Sequence, residues 1–205
     1  MRIGIDFDNT IVSYDKVFYC VALEQALIPE SLSESKVAVR DYLRSKDQNN
    51  IWTELQGYVY GKRMLDADIF KGFFDFLAFA KENRIHLSII SHKTVYPYEG
   101  EKFNLHNAAR EFISRRLLKG KSDVISDRNI FFELTQKDKV LRVEKEKCDY
   151  FIDDLPEIFI LEDFPHSTIK CLFDPDDGIQ DFKADFKFSE WEDIVLHLQH
   201  DISRR

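Results

Sequence analysis

No apolar run in this chain approaches the roughly 18 residues that a membrane-spanning helix requires. The opening segment, Met1-Arg2-Ile3-Gly4-Ile5-Asp6-Phe7-Asp8, has no small-residue cleavage site of the kind that ends a signal peptide. Both absences set the expectation of a cytoplasmic protein with no membrane partner. Cysteine is scarce. Cys20, Cys148 and Cys171 form no C-x-x-C pair and cannot all be paired within one chain, which argues against a zinc knuckle or a disulfide scaffold and for buried thiols. Internal repeats and low-complexity linkers are missing too. Positive charge is in deficit: 29 Lys and Arg against 37 Asp and Glu give a net charge of -8, which opposes non-specific association with nucleic acid or anionic membranes.

What is present is enough for one good core. The chain has 205 residues, 44% of them hydrophobic, with 18 Phe and 8 Tyr, so it is too apolar for disorder and long enough for one main domain with a small insertion. After a first strand ending near Phe7, helical patterns run over Tyr14–Leu27, Ser35–Ser45 and about Gln48–Met64. Ser31 and Glu34 have the spacing of a capping box ahead of the second of these. Ser33-Glu34-Ser35-Lys36 has S-x-x-K spacing but no companion motifs, so helix capping accounts for it better than nucleophilic chemistry. The whole reads as a helical insertion over 14–67.

Beyond it the pattern alternates. Phe70–Asn83, Leu105–Leu118, Gln136–Lys147, Leu155–Glu162 and Glu190–His200 read as helices. Ile85–Ile90, Ile130–Glu133, Tyr150–Ile152 and Ile169–Phe173 read as short apolar strands. Leu118–Asp123 reads as a polar loop and Gly178–Phe188 as an irregular connection. About five strands separated mainly by helices predict a three-layer α/β/α, Rossmann-like parallel sheet built from 1–13 and 68–205.

In an open parallel sheet, ligands bind beyond the carboxyl ends of the strands. Those ends are polar here. The first delivers Asp6 and Asp8, the second Ser91-His92-Lys93-Thr94, and the fourth Asp153-Asp154. In an extended segment Asp6 and Asp8 project to one side, and two neighbouring carboxylates at a buried strand end need a cation or a reacting group to offset their repulsion. Thr135 and Asp138 have capping-box spacing, which places Lys139 in the first turn of the helix before the fourth strand. An ammonium there opposes the helix dipole unless an anion sits nearby. Two carboxylate clusters, a hydroxyl and a lysine make a coherent phosphate site in which a hard divalent metal offsets the acid repulsion.

These residues resemble the haloacid dehalogenase (HAD) superfamily of phosphohydrolases. Its D-x-D-x-T motif matches Asp6-Phe7-Asp8-Asn9-Thr10, its Ser or Thr ending strand two matches Ser91, its lysine ahead of strand four matches Lys139, and its acidic fourth motif matches Asp153-Asp154. All four occur in order over about residues 1–175. The resemblance implies that Asp6 attacks phosphorus and that Asp8 protonates the leaving oxygen and then activates water. It implies Mg²⁺ held by Asp6, the backbone carbonyl of Asp8 and an acid of the fourth motif. Asp154 is favoured as the acid that touches the metal and Asp153 as the one behind it, an order that adjacent acids leave open. Thr10 would orient Asp8 or its backbone, and Ser91 and Lys139 would bind the phosphoryl group. Lys139 is preferred to Lys137 because it lies one turn past the Thr135 cap, on another face of the helix. One departure concerns the second acid that many members carry four residues after the motif-four Asp: Ile158 stands there, and Glu157 comes one residue early.

The implied activity is hydrolysis of a small phosphomonoester, a sugar phosphate or a nucleotide, beneath the helical insertion acting as a cap. A non-catalytic phosphate- or metal-binding regulatory protein on the same fold is the alternative, and the intact Asp6 and Asp8 argue against it. A phospho-accepting receiver domain carries its acids on different strands. His92 and Lys93 follow Ser91 directly and are possible substrate contacts. His86, His106, His166, His197 and His200 show no ligand spacing beyond the His197/His200 pair, which reads as a solvated helix face. Asp174-Pro175-Asp176-Asp177-Gly178 reads as a plain turn rather than a calcium loop. Trp52, Tyr58 and Tyr60 read as core of the insertion, with stacking on substrate as the less favoured role.

Overall fold

In the computed structural model, which describes residues 1–118 and 124–204, the chain divides into two compact units. The first holds Met1–Ile11, Ile69–His92 and Gly120–Arg205; the second holds Val12–Asp68 and Lys93–Lys119. Residues 93–119 thus group with the helical stretch that precedes them. Along the chain the elements are β1 (Arg2–Ile5), β2 (Val12–Ser13), α1 (Asp15–Glu24), α2 (Lys36–Ser45), α3 (Asn49–Gly61), β3 (Asp68–Ile69), α4 (Phe73–Glu82), β4 (His86–His92) and α5 (Leu105–Phe112). Then follow β5 (Ile130–Glu133), α6 (Gln136–Lys145), β6 (Tyr150–Asp153), α7 (Pro156–Phe159), β7 (Ile169–Phe173), β8 (Phe186–Phe188) and α8 (Trp191–Ser203). Of the polar loop expected over Leu118–Asp123, residues 119–123 lie outside the described residues.

The first unit is built on a six-stranded sheet in the order β5-β4-β1-β6-β7-β8, parallel throughout. Period-two alternation sends Ile90, Phe151 and Leu172 to one face, where they pack with Val140, Val143, Ile158, Phe159 and Phe164. Phe173, one residue on, faces the other way and meets Trp191 at 5.5 Å between ring centroids; Trp191 in turn lies 4.7 Å from Phe73 and 4.8 Å from Phe76. Helices therefore cover both faces, α6 and α7 on one, α4 and α8 on the other. Burying each of these aromatic rings contributes about 1.5–3 kcal/mol. Gly4, in mid-strand, has a specific reason to lack a side chain. A Cβ there would stand 2.8 Å from Phe151 and 2.9 Å from Cys148 Sγ, so the glycine lets side chains of the α6 face lie across β1.

The sixth strand falls in the segment read from sequence as irregular. It is three residues long, pairing Cys171 with Phe186 and Phe173 with Phe188, and its placement depends on an aspartate. Asp174, 6% exposed, accepts hydrogen bonds from the amides of Ile179 (2.8 Å) and Gly178 (3.2 Å) and contacts Lys187 Nζ at 2.9 Å. This is a structural turn. Burial works against its charge, yet those amides and the ammonium hold the Asp174 carboxyl below the usual carboxylate range. A lowered pKa contributes stability that is fully present above the unfolded value and is lost as pH falls through the folded one. Asp174→Asn should therefore cost about 1.5–3 kcal/mol near neutrality, and its gap from wild type, measured by urea denaturation, should close below about pH 4. A gap independent of pH contradicts this.

In the second unit, α1 buries Val17, Phe18, Val21 and Ala22, α2 buries Val39 and Leu43, and α3 buries Trp52, Leu55 and Val59. These are one-face helical spacings. The cap of α2 is Ser35, whose Oγ accepts from the amide of Ala38 at 3.4 Å, and not the Ser31/Glu34 pair expected from sequence. The chain at 29–35 stays non-helical, so the hydroxyl nearest the first helical turn does the capping. Trp52 is buried against Phe18 at 5.0 Å, and Tyr58 packs on Phe103 at 6.1 Å. The helix expected over Leu105–Leu118 is α-helical only to Phe112 and continues as a π-turn over Ile113–Leu117.

Candidate active site

The site is assembled at the carboxyl ends of the central strands of the first unit. β1 ends at Ile5, but the ladder reaches one residue further, since the Asp6 amide donates to the Ile152 carbonyl at 2.9 Å. That bond brings Asp6 alongside Asp153, the last residue of β6, and matched register puts both side chains on the face that α6 covers. Lys139 comes from the first turns of α6. The helix start is fixed by Thr135, the cap expected from sequence, whose hydroxyl accepts from the Asp138 amide at 3.0 Å and donates to the Asp138 carboxylate at 2.6 Å.

Lys139 Nζ stands 2.6 Å from Asp6 Oδ1 and 2.6 Å from Asp153 Oδ2. All three are buried: Asp6 4%, Lys139 1% and Asp153 0% exposed. Burial works against the ammonium, but Asp153 and Asp6 together outweigh it and raise its pKa, so Lys139 is firmly charged. For Asp153 burial dominates. It pushes that carboxyl up, with the Asp6 charge adding to the effect and Lys139 opposing it. One cation between two carboxylates leaves an excess buried negative charge, and Asp153 is the group that bears the penalty. Asp153 Oδ1 accepts from the Leu155 amide at 3.1 Å, and Oδ2 is the oxygen that faces Lys139 Nζ.

Asp154 completes the acid cluster. Its carboxylate accepts from Asn9 Nδ2 at 3.3 Å and from Thr10 Oγ1 at 3.5 Å. Oxygen atoms of Asp6, Asp153 and Asp154 lie within 4.8 Å of one another, about the span across the oxygen shell of a hard divalent cation. Three carboxylates with excess buried charge suit such an ion, and among the described residues this is the acid group with that geometry.

The other residues picked out by sequence are placed as follows. Asp8 is half-buried just past the buried Phe7, whose ring meets Phe132 at 5.9 Å. Thr10 is fully buried, and its carbonyl accepts from the indole of Trp191 at 3.1 Å. Ser91 is buried in β4, paired with Phe132 of β5. His92 points its Nε2 to the Leu134 carbonyl at 3.1 Å. Lys93 belongs to the second unit, with its ammonium 5.0 Å from the Tyr60 ring centroid. Lys137 is separate from the cluster, pairing at 3.2 Å with Asp163 on the surface.

Two contributors were not singled out from sequence. Asn9 adopts a left-handed backbone, φ 55°, a conformation asparagine tolerates better than most residues, and this turn aims its amide at Asp154. The D-N-T tripeptide was the available signal. Trp191, some 180 residues away in sequence at the start of α8, anchors the Thr10 backbone, and no local pattern announces it.

No protein-family model matches the chain, and no curated protein is similar to it in sequence. Solved structures do match. A HAD-superfamily hydrolase from Ehrlichia chaffeensis shares 15% identity over 98% of this chain and 97% of its own, with a TM-score of 0.55. A predicted phosphoglycolate phosphatase from Haemophilus somnus shares 15% over 96% and 97%, TM-score 0.58. A HAD-hydrolase from Bacillus subtilis bound to magnesium shares 10% over 96% and 97%, TM-score 0.50. The fold of this chain is that of the HAD-like hydrolases, a parallel α/β/α sheet of Rossmann type.

Proposed function

We propose that this protein is a Mg²⁺-dependent phosphohydrolase that cleaves a small phosphomonoester through an aspartyl-phosphate on Asp6. The observation that carries the reading is the buried Asp6–Lys139–Asp153 triad, flanked by Asp154 at the ends of two adjacent parallel strands. The metal would be held by Asp6, Asp154 and the Asp8 carbonyl, with Asp153 behind them, and would supply a Lewis acid for the phosphoryl oxygens. That the fold also carries a magnesium-bound hydrolase supports this choice of ion.

In the first step a carboxylate oxygen of Asp6 forms a bond to phosphorus as the bond to the ester oxygen breaks, and Asp8 gives its proton to the departing alkoxide. In the second, Asp8 takes a proton from water, the water oxygen bonds to phosphorus, and inorganic phosphate leaves with Asp6 restored. Lys139 holds Asp6 in one orientation and lends positive charge to the transferring group. Ser91 donates its hydroxyl to a phosphoryl oxygen. Asn9, Thr10 and Trp191 act through Asp154 and the turn backbone as positioning residues. The helical insertion over 14–67 acts as a cap and selects small substrates, a sugar phosphate or a nucleotide, over nucleic acid or membrane. Free Cys20, Cys148 and Cys171 accord with a reducing, cytoplasmic setting.

The test is phosphate release from a panel of sugar phosphates, nucleoside monophosphates and an aryl phosphate, with Mg²⁺ and with chelator. Release from at least one compound that stops with chelator is the expected result. Silence across the panel, aryl phosphate included, overturns the reading.

A further inference from the structure

The second unit contains a cavity walled entirely by its own segments, α3 and residues 94–105. Its volume is about 150 Å³, the size of void that one benzene ring fills. Pro97 and Leu105, both buried, give it an apolar wall. Tyr98 also lines it while remaining 80% exposed, the highest exposure among the large hydrophobic side chains of the described residues. A flat ring laid in the cavity against Tyr98 would take that aromatic surface out of water.

The walls are fixed before any ligand arrives. Gly57 lets Pro97 lie directly on α3, since a Cβ there would stand 2.6 Å from the proline ring. Gly100, with φ 81°, turns the chain back onto the same helix, where a Cβ would stand 2.9 Å from Glu54 Cγ. The Leu105 amide donates to the Val95 carbonyl at 2.9 Å and closes the segment on itself, and Asn104 caps α5 by accepting from the Asn107 amide at 2.9 Å. A preformed pocket loses little binding free energy to ordering.

Its polar groups are mostly acceptors. Thr53 Oγ1 donates its proton to the Asn49 carbonyl at 3.0 Å and Thr94 Oγ1 to the Tyr96 carbonyl at 2.9 Å, so each hydroxyl offers a ligand lone pairs alone. Gln56 adds a carboxamide, with one carbonyl and one NH₂. This set suits a ring that presents N–H donors with a carbonyl beside one of them, because a carboxamide pairs with such an edge through two hydrogen bonds at once. No charged side chain is among the lining residues, so the ligand is uncharged at this point. We propose that the second unit binds one six-membered ring with adjacent N–H and C=O groups, the chemistry of a pyrimidine base, stacked on Tyr98 and read by Gln56. The site lies within this unit alone and stands whether or not phosphate release is found.

The test is calorimetric titration of uracil into the full chain, beside N,N′-dimethyluracil, which keeps the ring and lacks both N–H donors. Uracil should bind saturably and at least about tenfold more tightly than the dimethyl compound, the size of one hydrogen bond lost in a buried site. Tyr98→Ala should weaken it about fivefold or more, and Tyr98→Phe should not, since stacking needs only the ring. Gln56→Leu should bring the two compounds close to equality. Uridine and uridine monophosphate, titrated in parallel, tell a free base from a nucleoside or nucleotide as the source of the ring, and binding of any of the three that weakens in both Tyr98→Ala and Gln56→Leu supports the site. No saturable binding of any of them up to about 10 mM, equal binding of uracil and its dimethyl form, or binding indifferent to either substitution overturns the proposal. Tyr98 is on the surface, so its replacement leaves the fold intact and keeps the test decisive should Gln56→Leu fail to fold.

Discussion

Asp6→Asn should reduce phosphate release by about 10⁴-fold or more, since removing a nucleophile forfeits the covalent route and leaves only binding and electrostatics. The fold should survive. Asparagine is nearly isosteric, its carbonyl oxygen still accepts from Lys139, and the residue amide still bonds the Ile152 carbonyl, which is independent of the side chain. The variant also leaves one cation facing one buried carboxylate in place of two, which removes the excess negative charge. Its metal-free form should therefore unfold at a urea concentration no lower than wild type, while its activity is lost. Activity within tenfold of wild type would remove Asp6 from the nucleophile's role. Loss of fold together with activity would show that the aspartate is structural.

Lys139→Met should be the most destabilising single change at the site. The ammonium is buried between Asp6 and Asp153 at 2.6 Å from each, and breaking a buried pair by removing one partner costs about 3–5 kcal/mol because a charge is left uncompensated. Methionine preserves the aliphatic stem that packs beneath the sheet, so the loss reports charge rather than volume. Part of the deficit should return on adding Mg²⁺, which can offset the same carboxylates, and this recovery separates an electrostatic loss from a packing defect. Lys137→Met provides the comparison. Its partner, Asp163, is on the surface and both side chains are exposed, so the change should fall within about 0.5 kcal/mol. Equal effects of the two substitutions in denaturant unfolding would contradict the account.

Much of the first unit is legible in the sequence because its signals are local. Ile85–Ile90, Ile130–Glu133, Tyr150–Ile152 and Ile169–Phe173 are apolar runs between turn residues, and each coincides with a strand of the parallel sheet. Thr135 with Asp138 marks a helix start, and from that start the turn geometry separates Lys139 from Lys137. Phe186–Phe188 escapes because three residues carry no readable period, and the strand exists through its pairing with β7 and the Asp174 turn. Ser31 and Ser35 are both plausible caps by composition; which hydroxyl meets the first free amide depends on the path of the chain between them.

Site residues divide in the same way. Asp6, Lys139 and Asp153 are found by position at strand and helix ends, and the structure brings their charged atoms into contact. Asn9 is visible only as a turn residue until its positive φ directs it to Asp154. Trp191 reaches Thr10 from the far end of the chain, a relation set by tertiary packing alone. Grouping of residues 93–119 with the helical insertion is likewise absent from any local pattern, and it is what brings Lys93 to the same ring as Lys36.

The central claim is that Asp6 accepts the phosphoryl group. Its most direct measurement is acid quenching of the protein during turnover, followed by mass spectrometry of its peptides. A phosphoryl adduct on Asp6, formed with Mg²⁺, absent with chelator and absent from Asp6→Asn, is the predicted result. An adduct on another residue, or turnover with no adduct even when quenched in the pre-steady state, would contradict it.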